Sequence, residues 1–288
     1  MNTKVKIWPY AISDSAKSLR NVLNRQEGLS TTRLKAENSA YQHNRNDIII
    51  NWGNSSENKM REYRSDYQNT LNTPYNVRVK SNKKMFLITL PTVDINPVCN
   101  LPYTSRQDVA QMWLEDGVDV VCRHTLTGHS GEGIEIVFAE NGNVVPPAPL
   151  YTQYVKKRSE YRVHFIKTNG GVKTLIQQKR RNLQLDNPDW KVRNYENGFI
   201  YSVENVTDTV ADIRYLAIVA SGGLDFGAVD IMIASRSDYN QDILNIEEDS
   251  AIALEVNTAP GIISPTVLGF YEQHLTTAIN ELKEGLNS

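Results

Sequence analysis

Three oxygen-bearing side chains in the last third of the chain carry the clearest chemistry. The run AIALEVNTAPG alternates as a strand and turns at Pro260 and Gly261, so Glu255 and Asn257 share a face. Asp230 lies in GAVDIMI, an apolar run that reads as a strand buried on both faces, where a carboxylate needs a partner. Two carboxylates and an amide are hard oxygen donors, and such a set suits a magnesium ion shared with substrate phosphates. Each of the three also fits the plainer reading of a hydrogen-bonded strand residue.

A second candidate is the segment DVVCRHTLTGHSGEGIEIVFAE. It sets Gly128, Ser130, Gly131 and Gly133 between strand-like runs at 118–123 and 134–138. Strand on both sides makes this a hairpin tip, whereas a dinucleotide fingerprint or Walker A loop opens a helix. Glycines at a tip let backbone N–H groups approach phosphate oxygens, although a plain flexible turn has the same composition. Arg123, just ahead of the tip, can pair with phosphate or simply end a strand at the surface. The run Lys179, Arg180, Arg181 can neutralise an acidic substrate or form a solvated face. His124 and His129 stand at a spacing that no zinc motif uses, and the chemistry requires no histidine.

The elements that must position these groups are readable in outline. A strand at 4–10, a helix at 13–24, a loop holding Ser30 to Thr32 and an apolar run at 48–52 predict a small α/β unit. Polar residues dominate 54–76, with Pro74 as a breaker, which suggests a boundary. Helices follow at 83–90 and 105–116, with a strand at 118–125. Beyond residue 151, strand-like runs at 162–167, 199–203, 227–234 and 251–256 alternate with helices at 208–221 and 264–286. The division predicted is 1–76, 77–150 and 151–288.

Composition narrows the class. The chain has 288 residues, 40% of them apolar and 22% charged, with a net charge of -2, which suits two or three subdomains around a sizeable core. That charge gives no pull toward nucleic acid. Cys99 and Cys122 are too few for a disulfide framework and fit a reducing cytosol. No run approaches the roughly 18 apolar residues of a membrane span, and the N-terminus lacks a signal-like apolar stretch. A cytoplasmic location is expected, and an oligomer is compatible with the composition.

Taken together, the pieces resemble the ATP-grasp superfamily. EVNTAPG is similar to the Glu-x-Asn metal signature of ribosomal-protein glutamyl ligases, glutathione synthetases and D-alanine ligases. The order Lys83, Arg123, glycine hairpin, QYVKKRSEYRVHF, Asp230, Glu255, Asn257 matches that superfamily across roughly residues 80–265. In flavour the chain is similar to short ATP-grasp proteins of tailed bacteriophages.

The resemblance implies an α+β ATP-grasp fold, with an N-terminal α/β subdomain and two mixed subdomains that clamp ATP. It implies that Lys83, Arg123 and the hairpin (Gly128, Ser130, Gly131, Gly133) meet the phosphates. Arginine at 123 replaces the family's usual lysine, which changes reach and geometry. Gln153 and Val155 would border adenine, and Glu160 would accept from ribose hydroxyls. Arg162 would lie near the phosphates or acyl group, and Arg193 and Asn194 near the transferred phosphoryl group. Asp230, Glu255 and Asn257 would hold Mg²⁺, two ions being expected and Mn²⁺ an alternative. The implied reaction joins a carboxylate to an amine through an acyl phosphate, with the hairpin closing to exclude water. Two other readings stand beside it: a non-catalytic nucleotide-binding scaffold, which has no need of a full metal set, and a phosphotransferase, which would need a histidine-bearing domain.

Overall fold

The computed structural model describes every residue except 1, 38, 43, 59–67, 92–99, 128–131, 185–187, 189, 192, 207–209, 236–249, 263 and 288. Cys99 and the hairpin residues Gly128, Ser130 and Gly131 therefore lie outside the described residues.

The chain opens with β1 (Thr3–Pro9), α1 (Asp14–Leu23), β2 (Leu29–Arg33), β3 (Ile48–Trp52) and β4 (Thr70–Leu71), whose strands form a parallel sheet in the order β2-β1-β3-β4. Ser13 caps α1 by accepting from the Ala16 amide, and the helix buries Ala16, Leu19, Val22 and Leu23. Residues 30–32, expected in a loop, belong to β2. It is a short edge strand whose pairing with β1 is carried by the backbone, so its polar side chains leave no alternation to read. Pro74 is not a breaker either. It sits in the first turn of α2 (Pro74–Ser81), where its missing N–H costs nothing, and Thr73 caps that helix.

After α3 (Lys83–Thr89) a second, antiparallel sheet has the order β5-β8-β6-β7. Its strands are β5 (Tyr103–Thr104), β6 (Val120–Arg123), β7 (Ile134–Val137) and β8 (Leu150–Gln153), with α4 (Gln107–Glu115) behind them. The third sheet, also antiparallel, runs β11-β10-β9-β12-β13. It comprises β9 (Lys157–Thr168), β10 (Gly171–Arg181), β11 (Phe199–Ser202), β12 (Phe226–Ala234) and β13 (Ala251–Asn257). One face of this sheet, with Tyr161, Val163, Phe165, Val229 and Ile231, shares a core with α5 (Val210–Ala220), α2 and α3. Val77, Phe86, Leu87 and Leu90 thus pack on the third sheet.

Two bulges adjust this sheet. Asp230 pairs with Glu255 but Ile231 pairs with Ala253, which leaves Leu254 as an extra residue on β13. Ile233 pairs with Ser159 but Ala234 with Lys157, which leaves Arg158 as an extra residue on β9. Leu254 and Glu255, though consecutive, consequently both line the same cavity.

The C-terminal helix α6 (Pro265–Asn287) returns to the first sheet. Val267, Tyr271, Leu275 and Ile279 join Val5, Ile7, Leu19 and Trp52 in one core, which also takes in Ile166 and Phe226 of the third sheet. Trp52 stacks on Phe226 with centroids 5.3 Å apart and meets Tyr271 edge-on at 5.7 Å. Asn72, buried at φ 64°, adds a polar tie. Its Oδ1 accepts from the Asp225 amide at 2.7 Å and its Nδ2 donates to the Phe226 carbonyl at 2.9 Å.

His164 on β9 is fully enclosed, with Nε2 2.8 Å from Gln177 Oε1 and Nδ1 3.3 Å from the Tyr271 hydroxyl. Burial lowers its pKa to about 4, against the smaller opposing effect of Gln177. Because the folded value lies below the ordinary 6.5, this group's contribution to stability is complete above pH 6.5 and is lost as the pH falls toward 4. We expect unfolding free energy to drop by roughly 3 kcal/mol across that window from this group. His164→Gln should flatten the slope, leaving only what remains from groups such as His274, whose pKa is also lowered. Urea titrations at stepped pH measure this, and identical slopes in both proteins would refute it.

Candidate functional site

The second and third sheets face each other across a cavity of about 680 Å³. Strand alternation selects what each contributes. From the second sheet come Val121, Arg123, Ile134, Ile136 and Thr152, while Cys122, Val120, Val137 and Tyr151 turn away into a separate core with Ala110 and Leu114 of α4. Burial pushes the Cys122 thiol up to about 11, so it is inert at neutral pH.

The third sheet supplies a floor whose polar groups are in register. Gln177, Arg162, Asp230 and Glu255 stand directly opposite one another on four consecutive strands. Arg162 is bidentate to Asp230, with Nε to Oδ1 at 2.7 Å and Nη2 to Oδ2 at 2.8 Å. Burial opposes both charges, yet each secures the other. Asp230 lies below its ordinary pKa, and Arg162 is held well above its own by Asp230, Tyr201 and Glu255. Asp230 is therefore ionised with both oxygens engaged. Glu255 is half-buried beside it, with Lys83 Nζ 3.5 Å away. Lys83 does not line the cavity. It approaches through Glu255, and its backbone N–H donates to the Leu126 carbonyl at the foot of the glycine hairpin, 2.8 Å away.

A second row holds Glu160, whose Oε2 accepts from Lys157 at 2.7 Å and whose Oε1 accepts from Lys179. Burial raises the Glu160 pKa, but the two ammonium groups outweigh it and leave the carboxyl below its ordinary value. Lys157 moves down, chiefly by burial. Glu160 thus has neighbours on both oxygens, where the resemblance led to ribose hydroxyls. Lys157, Gln177 and Tyr201 are cavity residues that sequence reasoning did not single out as a site. For Gln177 the signal was the alternation of β10, which places 177 and 179 on one face. Of the basic run, Lys179 lines the cavity, while Arg180 bonds to Gln178 and to the Asn205 carbonyl.

Gln153, at the end of β8, and Val155, in the link from β8 to β9, line the cavity. Arg193 and Asn194 also line it. Arg193 donates to the carbonyls of Lys157 (2.8 Å) and Arg158 (3.3 Å) and lies 5.4 Å from the Trp190 ring, while Asn194 Oδ1 accepts from the Asn197 amide at 2.8 Å. The pair lines the part of the cavity next to the start of β9. Gly133, at φ 67°, leaves the hairpin under Thr125, whose hydroxyl a Cβ would meet at 2.6 Å.

Arg123 Nε, Thr152 Oγ1, Gln153 Oε1, Arg193 Nε and Tyr201 Oη are buried without a hydrogen-bond partner among the described residues, and all belong to this cavity. Among the described residues, six cationic side chains line it against three carboxylates. Such a cavity is suited to a polar, anionic ligand. Arg123 faces Glu255, and burial lowers its pKa more than Glu255 raises it. Asp230, Glu255 and Asn257 form an all-oxygen set that fits a hard divalent cation by donor type, although no three His, Cys, Asp or Glu side chains gather as a metal cluster among the described residues. No described helix is long and apolar enough to cross a membrane.

No protein-family profile matches the sequence, nor does any curated protein. Solved structures do. D-alanyl-alanine synthetase A from Vibrio cholerae superimposes with a TM-score of 0.68 at 15% identity, covering 98% of both chains. N5-carboxyaminoimidazole synthetase from Staphylococcus aureus, complexed with ADP, gives 0.65 at 11% identity over 98% of this chain and 79% of that one. A RiPP-associated ATP-grasp ligase from Chryseobacterium gregarium, in complex with ADP and a leader and core peptide, gives 0.53 at 14% identity over 100% and 97%. At these identities the likeness is one of fold.

The Lys157–Glu160–Lys179 cluster yields a stability test. Glu160→Gln leaves two poorly solvated ammonium groups without a counter-charge and should cost about 3–5 kcal/mol. Because the folded Glu160 pKa is depressed, the native contribution is present above the ordinary carboxyl range and disappears as pH falls through the lower folded value. Urea denaturation of both proteins at neutral pH measures the difference. A loss within about 0.5 kcal/mol, the scale of an ordinary surface substitution, would show that the cluster is not an energetic unit.

Proposed function

Because the chain has the ATP-grasp fold, we propose that it binds ATP between its second and third sheets and uses it to join a carboxylate to an amine. The observation that carries this reading is the in-register row Gln177, Arg162, Asp230, Glu255 lying across the cavity from Arg123. It concentrates cations and oxygen donors where a triphosphate has its charge. The similar structures solved with ADP support nucleotide binding.

In this mechanism the adenine lies against the link at Gln153 and Val155, where Thr152 Oγ1 and Gln153 Oε1 await partners. Glu160 receives the ribose through lone pairs not taken by its two lysines. Arg123 meets the phosphates from above, and Lys83 holds Glu255 in place from the side. Asp230, Glu255 and Asn257 would hold magnesium, which when bound neutralises charge on the β and γ phosphates. Arg162, fixed by Asp230, presents its remaining N–H groups to the reacting oxygens and stabilises charge that grows there. A carboxylate oxygen attacks the γ phosphorus and the bond to ADP breaks. The amine then attacks the acyl carbon, the bond to phosphate breaks, and the amine proton leaves with phosphate or solvent. The glycine hairpin, including Gly128, Ser130, Gly131 and Gly133, would close over the phosphates and keep water from the acyl phosphate. The subdomain division 1–76, 77–150 and 151–288 and a cytoplasmic setting belong to the same proposal.

ADP release measured against pooled carboxylates and amines, with mass spectrometry of products, tests the reaction. Hydroxylamine should trap the intermediate as an ATP-dependent hydroxamate. Glu255→Gln and Asn257→Ala should each lower turnover by about 100-fold or more while unfolding stays cooperative. Full activity of both variants at limiting magnesium would overturn the metal assignment. A stable phosphate ester, with no hydroxamate at any amine concentration, would replace ligation by phosphoryl transfer.

A further inference from the structure

Two carboxylates on the cavity floor have both oxygens engaged, whereas donors beside them do not have all their hydrogens engaged. Asp230 gives both oxygens to Arg162, and Glu160 gives both to Lys157 and Lys179. On the donor side, Arg162 spends Nε and Nη2 on Asp230, and Nη1 has no acceptor among the described residues. Tyr201, on β11, completes the imbalance. The Arg162 guanidinium carbon lies 4.4 Å and Lys179 Nζ 4.9 Å from its ring centroid, so two cations flank one ring. Its hydroxyl is buried and has no partner among the described residues. Burial, working against the nearby Arg162, holds the phenol well above its ordinary pKa, so the hydroxyl keeps its proton and acts as a donor.

We propose that Tyr201 Oη and Arg162 Nη1, backed by Lys179, form a subsite for a ligand oxyanion, carboxylate or phosphoryl, that supplies the missing acceptor. The inference deepens the ligand reading above and rests on it for the identity of the oxyanion. An unmet buried hydroxyl weakens the free protein and contributes only when the ligand arrives. A Tyr whose role is structural behaves in the opposite way, since removing its hydroxyl costs stability and leaves binding alone.

Tyr201→Phe in the full chain separates the two. Calorimetric titration would use three probes, namely ADP with magnesium, inorganic phosphate and glutarate, and urea denaturation would run in parallel. The expected result is about tenfold weaker binding of at least one oxyanion probe, with stability equal to or above that of the native chain. Loss confined to glutarate identifies a carboxylate subsite, and loss on phosphate or ADP a phosphoryl one. Unchanged affinity for all three probes, no binding of any of them by the native chain, or weaker binding accompanied by lower stability would overturn the proposal. Failure of ADP to bind the native chain, with the glutarate difference intact, would instead sink the nucleotide reading and leave the subsite standing.

Discussion

The Arg162–Asp230 pair is the constraint around which the third sheet is arranged. Asp230 is placed by β12 in an environment that strongly disfavours a lone charge. The bidentate guanidinium from the adjacent strand makes its ionisation tolerable, and the pair is worth keeping only while the two strands stay in register. A one-residue slip of β9 against β12 would turn Arg162 into the core of Tyr161 and Val163 and strand Asp230. Register, charge state and the position of Glu255 on the next strand are thus one specification, and Arg123 across the cavity feels it through Glu255.

Much of this was legible in the residues. A carboxylate inside GAVDIMI announced that it needed a partner, and alternation put Glu255 beside Asn257. Pairwise geometry was not legible, because strand neighbours are set by topology. Nothing in the spacing of 162 and 230 says that β9 and β12 are adjacent, so Arg162 was read beside the phosphates or acyl group and not as the partner Asp230 required. Glu160 was named for the ribose, but its lysine partners were missed in the same way. Its two lysines come from its own strand and from β10, a strand whose polar composition concealed it. Leu29 to Arg33 went unread because an edge strand with polar side chains carries no period-two signal, and Pro74 misled because the same residue ends one helix and begins another. The covering helices were easier, since α1 and α6 bury long apolar stripes.

The part of the cavity next to the start of β9 follows different physics. Arg193 ties the β10–β11 connection to the carbonyls at the start of β9, and its guanidinium lies near the rings of Trp190 and Phe199. Lys191 lies 4.1 Å from the Phe138 centroid, so that connection also touches the second sheet. The cavity walls are held together here by cation–ring contacts and backbone hydrogen bonds, which tolerate small changes of angle better than the close-packed core around Trp52.

The two bulges bear on how this sheet can change length over evolution. Leu254 and Arg158 are each surplus to the ladder, so a single-codon deletion at either position restores regular pairing without changing which residues meet. Glu255 would still oppose Asp230, and Ala253 would still oppose Ile231. Elsewhere in β9, β12 or β13 the same deletion reverses the facing of every residue beyond it and exchanges cavity for core. Length variation among relatives of this chain should therefore collect at these two positions, where the sheet has slack, while the intervening strand lengths stay constant even as their side chains diverge.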